Sequence, residues 1–433
     1  MNIKSIKVNG LFNAFNHEII FSSGDIRIII GENGIGKTAM LKILEAIFNN
    51  DAQTLLSIDY KSIIIDFATR KETWTITKES NEKCTAVHIK SNIHNNDDQV
   101  LNLLNKHPFP RRMFVRISDN EWIDRRFDMV CTKEDIYNRY GFDITENDDV
   151  KLKKWFVDRL NDNKIKLINA QRLFQKKKEG QEDSSFQETV SLFSKSLVEI
   201  LNKDDSAFSS ISQKLDRTFA NRVLKTLNKR IKKDIDINEI NDIFERLTTL
   251  SNYRAQLSKV GIIAQEEDDV VQNINEGIDR NILTVLSLYV DDNKEKLECY
   301  RETAKKLEIL LDIINRRFRY KRLIVDKAKG FVIKSNDADV KSNEDCIPVN
   351  KLSSGEQNEL IMFYDLLFNS DSKDLVLIDE PEISLHLKWQ QSLIDDLRNI
   401  CANNKLSLLI ATHSPDIIGD NWNIVQTLSG EEK

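Results

Sequence analysis

Residues 31–38 read Gly31-Glu32-Asn33-Gly34-Ile35-Gly36-Lys37-Thr38 and fit G-x-x-x-x-G-K-[ST]. No other stretch constrains the fold as tightly. It follows Ile26-Arg27-Ile28-Ile29-Ile30, a buried-strand run, and precedes helical periodicity through Leu41, Leu44 and Ile47. Strand, Gly-rich turn and helix together are the context that makes the pattern a P-loop. Glycine is otherwise scarce, 13 in 433 residues, so glycines are expected where backbone geometry requires them. Here they let backbone N–H groups converge on phosphate oxygens, and the helix N-terminus adds positive partial charge. Asn33, Gly34 and Gly36 would line the phosphates and Lys37 would reach the β/γ pair. The Thr38 hydroxyl would join a Mg²⁺ shell. The expectation is an α/β fold that binds a nucleoside triphosphate.

A P-loop needs a second acid for the metal. The apolar run Leu375-Val376-Leu377-Ile378 ends in Asp379-Glu380. A central parallel strand delivers ligands at its C-terminal end. Asp379 is placed there to hold Mg²⁺, and Glu380 to take a proton from the attacking water. The same pair could cap a helix after any strand, but not readily beside a P-loop. Glu382 reads as a structural first-turn acid, ranked behind Glu380. Ala411-Thr412-His413-Ser414-Pro415 follows another apolar strand, 406–410, and places His413 where it can hydrogen-bond a γ-phosphate. Asn169-Ala170-Gln171-Arg172 ends a short strand at 166–169; alone, Gln171 is a polar loop residue. Leu352-Ser353-Ser354-Gly355-Glu356-Gln357 opens a helix at a small turn. A capping box explains Ser353 to Glu356, and so does a second anion cradle.

The chain reads as two α/β ends around a helical middle. Strand-like pieces at 63–67, 73–77 and 86–90 suggest an antiparallel sheet. Loops are expected at 95–98 and 107–110, and a helix near 148–162. From about 188 to 320 the sequence is helical. Leu283, Leu286, Val290, Leu297, Tyr300, Ala304, Leu307, Leu311, Ile314 and Phe318 step by three and four, broken only at Asn293. A looser stripe runs through Ile243, Leu247, Leu250, Leu257 and Val260, and a polar turn at 265–277 could join the two as a hairpin. Two long helices packed on a domain and a projecting coiled-coil arm both fit.

Charge balances at 63 basic against 69 acidic residues, which argues against indiscriminate nucleic-acid binding but not against a local patch. Such patches could lie at Arg222, Lys225, Lys229, Arg230, Lys232 and Lys233, or at Arg316, Arg317, Arg319, Lys321 and Arg322. A solvated helix face explains them as well. The 5 cysteines are scattered without C-x-x-C, which points to a reducing cytoplasm and no thiolate zinc site. Neither a signal peptide nor a membrane span is expected.

The order of P-loop, Asn-Ala-Gln-Arg, helical insertion, Ser-Ser-Gly turn, Asp-Glu strand and Thr-His-Ser resembles the ABC-type ATPases of the SMC, RecF and OLD group. The resemblance covers about 1–90, 165–175 and 320–433. It implies an ABC-type head with a small antiparallel β subdomain and a long α-helical, coiled-coil-like insertion. The parts would be an N-terminal lobe at 1–175, the insertion at 176–320 and a C-terminal lobe at 321–433. It further implies that Gln171 meets the Mg²⁺ and the attacking water, and that His413 is the switch histidine. Ser353, Ser354, Gly355 and Glu356 would form the signature that completes a neighbour's ATP site. A homodimer or higher homo-oligomer is therefore implied, with ATP and Mg²⁺ bound.

A narrower likeness lies in Leu-Ser-Ser-Gly-Glu-Gln-Asn-Glu-Leu at 352–360 and Leu-Ile-Asp-Glu-Pro-Glu-Ile-Ser-Leu-His-Leu-Lys-Trp-Gln at 377–390. It resembles ATPase subunits of bacterial anti-phage systems: PARIS AriA, Septu and retron PtuA, and AbiLi. That resemblance implies an ATPase that holds or controls a separate effector, often a Toprim or HNH nuclease. OLD proteins carry a C-terminal Toprim nuclease, whereas this sequence ends soon after His413, so no nuclease is expected in it. The competing expectation is a DNA-maintenance ATPase that clamps DNA; a scaffold that binds ATP and barely turns over is a third.

Overall fold

The computed structural model describes residues 3–21, 24–69, 71–80, 85–94, 97–101, 114–118, 121–124, 129–132, 152–176, 186–229, 237–264, 279–335, 347–372, 374–383 and 385–428. The expected loop at 107–110, the start of the helix near 148, the polar turn at 265–277, and Arg230, Lys232 and Lys233 lie outside the described residues. The chain divides into two compact units, 1–170 with 370–433, and 171–369.

The first unit opens with β1 (Ile3–Leu11), β2 (Phe15–Ile20), β3 (Ile26–Ile30), α1 (Lys37–Phe48) and α2 (Ala52–Ser57). It continues through β4 (Ser62–Phe67), β5 (Thr73–Ser80), β6 (Thr85–Ser91) and β7 (Gln99–Leu101). Then come β8 (Phe114–Ser118), β9 (Glu121–Asp124), β10 (Met129–Thr132), α3 (Lys154–Asp162) and β11 (Ile165–Ile168). Among the described residues, six strands form an antiparallel sheet in the order β2-β1-β4-β5-β6-β7. Alternation of burial explains it: Ile63, Ile65 and Phe67 of β4 point inward, while Ser62, Ile64 and Asp66 stay partly exposed on the other face. These side chains meet Met40, Leu41, Leu44, Ile47 and Phe48 of α1 in one core.

At one end of that core Trp74 packs against Phe67, Phe156, Trp155 and Phe48, with ring centroids at 4.9, 5.3, 5.5 and 6.0 Å. Beneath it lies a buried ion pair. Arg159 donates to Glu72 Oε2 from Nε at 2.8 Å and Nη2 at 2.6 Å, and Trp74 Nε1 donates to Oε1 at 2.8 Å. Burial pushes the Glu72 carboxyl up, but the bonds from Trp74, Arg159 and Ser91 and the Arg159 charge outweigh it and hold it below the usual range. A depressed carboxyl stabilises the fold above its unfolded value and loses that contribution as pH falls through its folded value. Arg159→Leu leaves the buried carboxylate without its cation. It should cost about 3–5 kcal/mol, read as a lowered urea midpoint at neutral pH. An unchanged midpoint would refute that role for the pair.

The second unit contains β12 (Phe174–Lys176), β13 (Phe186–Glu188), α4 (Thr189–Lys229), α5 (Ile237–Lys259), α6 (Arg280–Leu297) and α7 (Arg301–Arg317). It ends with β14 (Lys321–Asp326), β15 (Gly330–Ser335), β16 (Ile347–Pro348) and α8 (Ser354–Phe368). Helix α6 packs on α4 and α5, and Arg222 donates both Nη atoms to Asp292 at 2.5 Å. The expected stripe is buried at Leu283, Val290, Leu297, Tyr300, Ala304, Leu307, Ile314 and Phe318. It does not run through one helix, because a 3₁₀ turn at Glu298–Tyr300 separates α6 from α7. The three-residue step from Leu297 to Tyr300 matches one turn of 3₁₀ helix, so the buried face continues through the break.

The same unit takes in 321–369, which the sequence reading grouped with the C-terminal lobe. Packing explains this. Tyr364 of α8 stacks on Phe193 of α4 at 4.8 Å and meets Phe331 of β15 edge-on at 5.7 Å. Arg317, at the end of α7, pairs with buried Glu359 of α8. Gly330 has φ +74°, and a Cβ there would lie 2.3 Å from the Ser194 carbonyl, so β15 can approach α4 only with glycine.

The chain then returns to the first unit with β17 (Leu375–Asp379), α9 (Leu387–Asn404), β18 (Ser407–Ala411), α10 (Pro415–Ile418) and β19 (Val425–Thr427). Among the described residues these complete a five-stranded parallel sheet in the order β11-β17-β18-β3-β19. Every residue of β17 is buried, as expected of an unbroken apolar run in a covered parallel sheet. Helix α1 also packs on β11, β17 and β18, so it lies between the two sheets.

Candidate active site

The parallel register brings three chain segments to one edge of the sheet. Asp379 pairs with Ala411, and Ala411 with Ile29. The ends of β17, β18 and β3 are therefore level, and Asp379-Glu380, Thr412-His413 and the P-loop emerge together. This is the carboxyl edge where open parallel sheets bind ligands.

The P-loop is shaped for an anion. Gly34 has φ +89° and Gly36 +100°, and a Cβ at Gly34 would meet nothing within 4 Å, so the loop curls around open space. Helix α1 begins with no side-chain cap and no acid in its first turn. Its N-terminal N–H groups and positive dipole end are thus left to a ligand. Lys37 is buried; its Nζ donates to the carbonyls of Gly31 at 2.7 Å and Glu32 at 3.0 Å. His17 of β2 supports the loop from behind, with Nε2 2.6 Å from the Ile35 carbonyl and its ring stacked on Phe15.

Thr38 Oγ1 lies 3.0 Å from each carboxylate oxygen of Asp379. Burial pushes the Asp379 carboxyl up, and neighbouring Glu380 adds to it; the Thr38 hydroxyl works the other way. A carboxylate in that setting is best satisfied by a cation. A hydroxyl and a carboxylate beside a phosphate cradle are the donors a P-loop Mg²⁺ site uses, so these residues fit the metal. Glu380 sits at φ +42°, a left-handed conformation costing a non-glycine residue about 1–2 kcal/mol. Its N–H donates to the Ala411 carbonyl at 2.9 Å, which holds the strained turn to β18. Backbone strain of this kind gathers at functional sites.

His413 Nδ1 lies 3.2 Å from Glu382 Oε1 and 4.0 Å from Glu380 Oε1. Glu382 is buried, and its Oε1 accepts from Thr412 Oγ1 at 2.7 Å and His413 N at 2.9 Å. The structure thus brings together Gly34, Gly36, Lys37, Thr38, Asp379, Glu380 and His413, with Asn33 exposed on the loop.

Gln171 and the Ser-Ser-Gly turn belong to the second unit. Gln171 is exposed at its first position. At the turn a capping box is formed: Ser353 N and Oγ both donate to Glu356 Oε2 at 2.9 Å, and Ser353 Oγ accepts from Glu356 N at 3.4 Å. Lys321 Nζ adds a 2.8 Å bond to the same carboxylate. The box engages Ser353 and Glu356 locally, while Ser354 is exposed. Sequence reading missed His17, a lone histidine in a strand without spacing to mark it. Nor does the sequence show the partners of Glu382, which lie about thirty residues away on the next strand's exit.

The AAA ATPase domain family, AAA_15, matches residues 1–418 of this chain. Retron Vc95 probable ATPase from Vibrio cholerae serotype O1 biovar El Tor is 27% identical over 180 residues, covering 36% of this chain and 34% of the relative. The chain thus aligns with about a third of that relative's length. Among solved structures, the SMC head domain from Thermotoga maritima aligns with 100% of this chain and 96% of its own, at 9% identity and a TM-score of 0.32. The SMC head bound to the C-winged helix domain of ScpA aligns with 97% and 92%, at 10% identity and a TM-score of 0.34. Among the described residues no helix is long and apolar enough to cross a membrane.

Proposed function

We propose that this chain, which belongs to the AAA ATPase domain family, hydrolyses ATP to ADP and phosphate and controls a separate effector in bacterial anti-phage defence. The observation that carries the chemistry is the Thr38 hydroxyl held on Asp379 beside the uncapped N-terminus of α1. Lys37 exchanges two loop carbonyls for phosphate oxygens. The amides of 33–38 take the remaining phosphate charge. Thr38 and Asp379 would hold Mg²⁺, which would supply positive charge to offset that of the phosphates. Glu380 orients the attacking water and accepts its proton at a carboxylate oxygen. His413 would donate toward the γ-phosphate. Ser354 and Gly355, at the N-terminus of α8, meet the P-loop of a second copy, so the working form is a homodimer or larger.

The regulatory part of the reading is supported by the likeness to the retron-associated ATPase and by the 352–360 and 377–390 sequences. Its effector would be a Toprim or HNH nuclease, and the setting the cytoplasm. A DNA clamp is less well supported, because four of the cations it would use are held in ion pairs within the chain. Arg222 is bound to Asp292, Arg317 to Glu359, Lys321 to Glu356 and Arg316 to Asp312. The test is plaque counts for cells carrying this gene with its neighbouring effector gene, each gene alone, and the pair with Lys37→Ala or Glu380→Gln. Protection should need both genes and disappear in each variant. Full protection from this gene alone, or undiminished protection with Lys37→Ala, refutes the reading. A salt-dependent DNA affinity of the purified protein would favour the clamp instead.

A further inference from the structure

We propose that Glu382 is a positioning residue that holds the 412–414 turn and sets His413 for the reaction. The inference rests on the ATPase reading above. Glu382 follows Glu380 by two residues and its side chain is 7% exposed, yet no lysine or arginine pairs with it among the described residues. A buried carboxylate without a cation is costly, and such a group needs strong donors. Among the described residues its donors are all on the exit of β18. Thr412 Oγ1 and His413 N both donate to Oε1, and His413 Nδ1 stands 3.2 Å from the same atom. None of these bonds comes from its own turn at 381–383, so a local helix-start role does not account for it. Oε2 is buried and has no hydrogen-bond partner among the described residues, so the site keeps an acid where a neutral or apolar side chain would cost less.

The contacts continue in a closed path. Ser414 N donates to Thr412 Oγ1 at 2.9 Å, and Ser414 Oγ donates to Gln390 Oε1 at 2.7 Å. Gln390 Nε2 donates to the Leu385 carbonyl at 3.1 Å, three residues beyond Glu382. The 382–390 segment and the 412–414 turn are therefore one hydrogen-bonded frame. Within it the imidazole is drawn to Glu382 at 3.2 Å rather than to Glu380 at 4.0 Å. Nδ1 is thus the ring atom set against Glu382, and the Glu380 carboxylate is left to the attacking water. Orientation of one ring nitrogen by a carboxylate is how a working histidine is commonly fixed.

The test uses the full chain with Glu382→Gln, Glu382→Ala, Thr412→Val, His413→Ala and the Glu382→Ala/His413→Ala double variant. Glu382→Ala should lower kcat for ATP by about 10–100-fold, the range for losing an outer partner of a functional group, with KM unchanged. If Glu382 acts through His413, the double variant should be no slower than His413→Ala alone. Imidazole C–H resonances of histidine-labelled protein give a readout independent of turnover. The His413 signal, identified by its loss in His413→Ala, should move in Glu382→Gln and Thr412→Val while signals distant from the turn stay. Additive losses in the double variant, or an unmoved His413 signal, overturn the proposal. Wild-type protein that does not hydrolyse ATP overturns the ATPase reading instead, and the resonance still decides the positioning. Should Glu382→Ala fail to fold, Glu382→Gln and Thr412→Val carry the test.

Discussion

Glu380→Gln is expected to keep ATP bound while turnover falls by about 10²–10⁴-fold, the range for loss of a general base. The substitution preserves shape, so the strained backbone at φ +42° and its bond to the Ala411 carbonyl survive. What it removes is an oxygen that can take a proton from water. Lys37→Ala is expected to act one step earlier and abolish binding. Lys37 is the cation whose Nζ already lies on the P-loop carbonyls of Gly31 and Glu32, and the dipole of α1 alone does not replace a full charge beside three phosphates. Calorimetric titration with ATP and a phosphate-release assay separate the two steps. Wild-type turnover in Glu380→Gln would remove the base assignment, and retained ATP affinity in Lys37→Ala would remove the P-loop one.

Much of the first unit is legible in the sequence because its signals are local. The P-loop declares its own strand and helix, and Leu375–Ile378 announces a buried strand by composition alone. The Ser353 to Glu356 spacing is less decisive, since the capping box it encodes is formed whatever else the turn does. What sequence does not reveal is long-range. Strand β1 joins the antiparallel sheet through β4, about sixty residues away, while β3 goes to the parallel one. Nothing in either strand's own pattern states that choice; it follows from which strands α1 can cover on its two sides. The break between α6 and α7 is hidden for a related reason. A three-residue step in an apolar stripe is equally at home in an α-helix and in a 3₁₀ turn, and the deciding contacts, Tyr300 OH donating to Asp205 at 2.6 Å and Thr303 Oγ1 to Asp204 at 2.6 Å, come from α4. Glu382 is the sharpest case: one residue type at one position, whose partners are set by the register of β17 against β18.

The second large effect concerns assembly. Ser354→Arg places a long cation on an exposed residue at the start of α8, where the capping box of Ser353 and Glu356 is left intact. The fold and ATP binding should therefore survive, while hydrolysis should fall to background if Ser354 and Gly355 serve the ATP site of a second copy. Lys37→Ala is also inactive, for a different reason: its own P-loop is empty but its signature turn is sound. In a dimer of one Ser354→Arg chain and one Lys37→Ala chain, one site combines the intact P-loop of the first with the intact turn of the second. The other site combines both defects. With random pairing of equal amounts, half the dimers are mixed and each has half its sites, so activity should return to about a quarter of wild type in a two-fold assembly. Neither variant alone can show this, and a protein whose sites are each built within one chain cannot show it in any mixture. Phosphate release after co-refolding or co-expression, with the mixed dimer isolated on two different tags, decides the matter. Mixed dimers that bind ATP yet release no phosphate would count against a shared site and leave the 353–356 turn with its capping role alone.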